Sequence, residues 1–141
     1  MTLNPELLRN SFDLVIERQP ELTARFYEIL FERYPEVRPL FGRNSTAHQR
    51  QMLQSALGAV LDHLDDAAWL RETLLAMGKK HVDYGVTTEM YDWVGASLLA
   101  ALGEAAGVDW TPELEAAWVA AYSAIAGLMQ EGAAEVAAAA E

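Results

Sequence analysis

The stretch Leu70-Arg71-Glu72-Thr73-Leu74-Leu75-Ala76-Met77-Gly78-Lys79-Lys80-His81 places Leu70, Leu74 and Met77 on one helical face and then, four residues on, a histidine. An α-helix turns 100° per residue, so His81 falls on the stripe that has to be buried. A neutral imidazole offers one lone pair to iron or zinc, and its other nitrogen then needs a hydrogen-bond acceptor. A buried histidine satisfied by a neighbour meets the same spacing. On spacing alone that plainer reading is the commoner one.

The segments on either side also read as helix. Asn4-Pro5-Glu6 joins a capping side chain, a proline at the first turn and an early acid, and Leu8, Phe12, Val15 and Ile16 carry the helix to about Arg18. Pro20 opens a second helix through Phe26, Leu30 and Phe31 to about Arg33. Pro35 and Pro39 confine the next segment to a short corner ending near Phe41 and Gly42. After the cap signal Asn44-Ser45-Thr46, a helix bears Leu53, Leu57, Val60 and Leu64. Asp65 and Asp66 start the histidine helix, which Gly85 follows as a breaker. Thr87 or Thr88 caps a long helix to about Gly107, and Thr111-Pro112-Glu113 opens the last one. The alanine-rich tail 133–141 has little to bury and is expected to fray. No strand signal, repeat or linker is visible, so the fold class is all-α. About seven unequal helices suit an irregular packing better than a symmetric bundle.

Two further polar residues fall on apolar faces. Gln49 lies one turn before Leu53, where its amide can serve a polar ligand or simply sit in the first turn of a helix. Tyr27 shares a face with Phe31 and Tyr34, as a core aromatic with its hydroxyl at an edge also would. Adjacent helical residues are 100° apart, so His48 and Gln49 cannot both face one cavity. Leu53 follows Gln49 by four and Met52 follows His48 by four, so spacing alone leaves the choice between them open.

Composition narrows the functions. The 141 residues fit one domain, spanning 1–141, and 52% are apolar, enough for a sizeable core. A net charge of −11 argues against nucleic-acid and anionic-membrane partners, which need a basic patch. The absence of cysteine removes disulfides, thiolate metal sites and covalent haem attachment. Only His48, His63 and His81 accompany the carboxylates as zinc ligands, and they are scattered. There is no phosphate loop and no serine elbow. The N-terminus has no signal-peptide pattern, and no run reaches the roughly 18 apolar residues of a membrane span. A cytoplasmic protein, monomer or homodimer, is expected.

Taken together, the chain resembles a bacterial single-domain globin related to the haem domain of flavohaemoglobins. Gly78-Lys79-Lys80-His81, with Tyr91 ten residues later and then Val94-Gly95, is similar to the family's proximal pattern of ligand histidine and adjacent tyrosine. Leu22-Thr23-Ala24-Arg25-Phe26-Tyr27 resembles the helix whose tyrosine reaches the distal side of the haem. Pro39-Leu40-Phe41 resembles the corner whose phenylalanine wedges against the porphyrin. Gln49-Arg50-Gln51-Met52-Leu53 resembles the distal helix, where glutamine and leucine face bound ligand.

The resemblance implies a globin fold, with haem b between the distal helix and the His81 helix. His81 would bind the iron, Phe41, Tyr91 and Leu53 would contact the haem, and Tyr27 and Gln49 would donate hydrogen bonds to O2, NO or CO. It implies reversible O2 binding. It also admits nitric oxide dioxygenation or weak peroxidase activity with a separate reductase, or gas sensing. No flavin or nicotinamide domain is recognisable, so electrons are expected from outside. One departure stands out: the family's proximal glutamate position, counted from Tyr122, is Ala133, with Glu131 and Glu135 each two residues away.

Overall fold

Asn4 caps the first helix through its side chain, whose Oδ1 accepts from the Leu7 amide at 3.1 Å. In the computed structural model, which describes residues 4–41 and 46–140, this helix is α1, Pro5–Arg18. It is followed by α2 (Leu22–Arg33), a 3-10 corner (Pro35–Phe41), α3 (Thr46–Asp62) and α4 (Ala67–Asp83). Then come α5 (Thr88–Ala106), a short 3-10 turn (Gly107–Asp109) and α6 (Pro112–Ala140). Among the described residues there is no strand. The expected caps Asp66 and Thr111 receive the Trp69 and Leu114 amides at 3.0 and 3.1 Å. Gly85 takes a φ of +87°, the left-handed conformation that lets the chain turn from α4 into α5 without straining a Cβ.

Two apolar clusters fill the interior. The larger joins Leu8, Phe12 and Val15 of α1 to Phe26 and Leu30 of α2, Leu98 and Leu102 of α5, and Trp118 of α6. A deep polar pair beside it is satisfied, since Trp118 Nε1 donates to Ser11 Oγ at 3.0 Å and Ser11 donates to the Leu8 carbonyl at 3.0 Å. The smaller cluster joins Val60, Leu74, Tyr91, Ala126 and Met129. Leu64 and Tyr122 pack on both.

Helix α4 lies chiefly on α6, α2 on α5, and α3 on α2 and α1. Although consecutive, α3 and α4 make few close backbone contacts among the described residues, and Val60 and Leu74 meet in the smaller cluster. Arg9 Nε fastens α1 to the end of α3 through the Leu61 carbonyl at 2.7 Å, and Arg18 fastens it to the end of α5 through the Ala106 carbonyl at 2.8 Å.

Several boundaries differ from the sequence expectation, and α3 stops at Asp62, short of Leu64. Helix α2 begins at Leu22, because Pro20 and Glu21 are used in the turn before it. Helix α4 continues past His81 to Asp83. The alanine tail, expected to fray from Ala133, is helical as far as Ala140. Alanine is the strongest helix former, and Glu135 leans back on α4 by pairing with Lys79 at 3.1 Å.

Candidate functional site

His81 sits in the last turns of α4, half-buried, with Nδ1 2.6 Å from the Met77 carbonyl. A carbonyl only accepts, so Nδ1 carries the proton and the lone pair is left on Nε2. That bond also fixes the ring about its axis, as an outer partner does for a metal-ligating histidine. Tyr84 meets the ring edge-on at 5.4 Å.

Tyr91 is 7% exposed, and its hydroxyl is the one buried side-chain oxygen or nitrogen among the described residues that has no hydrogen-bond partner. Burial raises its pKa, so it remains a neutral phenol. The Tyr91 backbone is held from α6, where the Tyr122 hydroxyl donates to the Tyr91 carbonyl at 2.6 Å. Gly95 makes room for this, since a Cβ there would lie 2.6 Å from the Tyr122 ring.

Tyr27 lies on α2 and is likewise 7% exposed. Its ring meets Phe26 edge-on at 4.9 Å and stacks on Phe31 at 5.8 Å. Its hydroxyl reaches α3, 3.4 Å from the Gln49 carbonyl, which is long for an O–H···O bond. Burial pushes its pKa up to about 12, so the phenol keeps its proton at physiological pH. On α3, Gln49 and Leu53 are half-buried while His48 is exposed. The candidates divide between the clusters: Tyr27 and Leu53 belong with the larger, Tyr91 and Met77 with the smaller. Phe41 ends the 3-10 corner, and its side chain lies outside the described residues.

The acids beside Ala133 are engaged elsewhere. Glu131 pairs with Arg71 at 2.6 Å and Glu135 with Lys79, all four partly exposed to solvent. A groove of about 560 Å³ lies between Pro20, Glu21 and Thr23 at the start of α2 and Arg50, Gln51, Gln54 and Ser55 of α3, and no candidate residue lines it. Among the described residues no group of three histidines or carboxylates is placed to hold a metal ion. His63 is used locally, with Nδ1 2.7 Å from the Ala59 carbonyl and its ring stacked on Trp69. None of the described helices is long and apolar enough to cross a membrane.

Reading the sequence missed the Met77 carbonyl and Tyr122. Met77 was legible as a stripe residue four before His81, but the service of its backbone oxygen was not.

Comparison with known proteins agrees with this architecture. The Globin family model matches residues 24–129, and the chain belongs to the globin family. It is 39% identical over 95 residues to a flavohemoprotein of Bordetella pertussis, a match that covers 66% of this chain and 24% of that protein. The chain thus corresponds to about a quarter of that relative's length. Among solved structures it resembles an engineered carbene transferase derived from a putative nitric oxide dioxygenase of Rhodothermus marinus. That match has a TM-score of 0.84 at 33% identity and covers 99% of this chain and 100% of that one. A bacterial globin from Campylobacter jejuni is similar at a TM-score of 0.75 and 28% identity, over 94% of this chain and 98% of that one.

Proposed function

We propose that this chain is a haem-binding globin that takes up O2 reversibly, with haem b held through His81. The observation that carries the reading is the 2.6 Å contact from His81 Nδ1 to the Met77 carbonyl, which leaves Nε2 as a lone-pair donor in a chain of the globin family. The surroundings suit a flat apolar group. Helices α3 and α4 make few close backbone contacts among the described residues, and the half-buried Leu53 and Met77 sit on separate clusters. When bound, the haem would supply a ferrous iron able to take up a diatomic gas.

The side chains do the rest. His81 would hold the iron, and Tyr91, Leu53 and Phe41 would contact the haem. Tyr27, kept protonated by burial, and Gln49 donate hydrogen bonds to the outer atom of the gas, where negative charge gathers. His81 is hydrogen-bonded to a carbonyl and both nearby acids are in ion pairs with α4, an arrangement that lends little of the electron push peroxidase chemistry needs.

Likeness to the Rhodothermus protein supports a second reading on the same site, nitric oxide dioxygenation with electrons from a separate reductase. Cycling the ferrous protein between air and argon tests the first reading. Spectra that interconvert repeatedly are expected, whereas conversion to the ferric form in one cycle would overturn reversible binding. Nitrate formation over many turnovers with an added reductase would favour the enzyme.

A further inference from the structure

Helices α4 and α6 meet backbone to backbone at two points. A methyl on Gly78 would overlap the Met129 carbonyl and stand 2.7 Å from Met129 Cα. A methyl on Gly132 would overlap the Leu75 carbonyl and stand 3.0 Å from Leu75 Cα. The arrangement is reciprocal: each glycine lies three residues past the carbonyl that the other helix's glycine touches. Because the opposing atoms are backbone, no rotamer change could admit a side chain, and the helices would have to part. By contrast Gly127, on the same α6, has nothing within 4 Å of a Cβ.

The crossing lies next to the residues that present the imidazole. Gly78 follows Met77, whose carbonyl orients the ring, and precedes His81 by three residues within one unbroken helix. Over less than a turn a hydrogen-bonded helix moves as a rigid rod, so a displacement at Gly78 is passed to His81 almost undiminished. Two ion pairs, Arg71–Glu131 and Lys79–Glu135, also join the helices and oppose rolling of α4 on α6.

We propose that Gly78 and Gly132 are positioning residues that, through this close crossing, set the height and tilt from which His81 Nε2 reaches the iron. The inference rests on the reading that His81 holds a haem. Alanine at either position forces α4 off α6 and moves the imidazole, because a close-packed interior transmits the shift instead of absorbing it.

The test is the iron–histidine stretching band of the ferrous protein in resonance Raman, recorded for the wild type, Gly78→Ala, Gly132→Ala and Gly127→Ala. A shifted or split band is expected in the first two variants, with Gly127→Ala matching the wild type. Lowered melting temperatures with the band unmoved would show a merely structural role and overturn the proposal. Should both alanine variants fail to fold, His81→Gly supplied with free imidazole replaces them. The detached ligand relaxes to its own geometry, so its band should differ from that of the tethered histidine. Coincident bands would overturn the positioning claim. A wild type that holds no haem sinks the functional reading itself, whereas a haem-loaded wild type with unmoved variant bands sinks this inference alone.

Discussion

In the proposed site, Tyr27 and Gln49 are where single atoms decide what the pocket prefers. A hydrogen bond to a partly charged ligand atom contributes on the order of 1.5–3 kcal/mol. Tyr27→Phe keeps the ring on Phe26 and Phe31 and removes only the hydroxyl. Oxygen dissociation measured by stopped flow should rise by roughly tenfold or more, since about 1.4 kcal/mol is a factor of ten. Carbon monoxide, with less charge on its outer atom, should change much less. A loss of stability with oxygen release unaltered would mark the phenol as a core residue. Because burial holds the Tyr27 phenol protonated to about pH 12, the difference between wild type and Tyr27→Phe should be flat from neutral pH to about pH 10. The proximity of Tyr27 to residue 49 was not legible from spacing, because it depends on how α2 crosses α3. What the sequence did show was three polar residues on apolar stripes.

Helices were the most legible level, since their signals are local. The caps at Asn4, Asp66 and Thr111 each join a side-chain oxygen to an amide three residues on, a relation readable without any tertiary structure. Backbone contact between helices leaves no such mark. Gly78 and Gly132 read as ordinary helix glycines until the partner carbonyls are seen. In the tail the local signals compete: low burial suggests fraying, while propensity and one ion pair favour the helix that runs to Ala140. The Asp66 cap begins the helix that carries His81, which makes it a measurable handle. Asp66→Ala should cost about 1 kcal/mol and lower the melting temperature without altering the haem spectrum. A changed spectrum would mean that α4 is less rigid between its cap and His81 than its hydrogen bonding implies.

At the scale of the whole molecule, buried phenols tie stability to pH. Tyr27 titrates at about 12 in the folded chain against an ordinary value of 10, and burial raises Tyr122 further still. The unfolded chain therefore releases these protons first as pH rises. Their contribution is complete below pH 10 and is lost as pH climbs through the folded values. Denaturant midpoints should fall from about pH 10 upward, and Tyr27→Phe should flatten part of that fall. A profile identical in the variant would remove Tyr27 from the linkage.

Haem binding would add to the same stability, because a ligand taken up only by the folded chain shifts unfolding by mass action. The most direct measurement is the visible absorption of the purified ferrous protein, taken for wild type and His81→Ala at equal haem supply. One haem per chain with a five-coordinate histidine-ligated spectrum is expected for the wild type, with loss of that spectrum and a lower melting temperature in the variant. A haem-free wild type, or a His81→Ala protein whose haem content and ligand-field spectrum are unchanged, would contradict the assignment of His81 as the iron ligand.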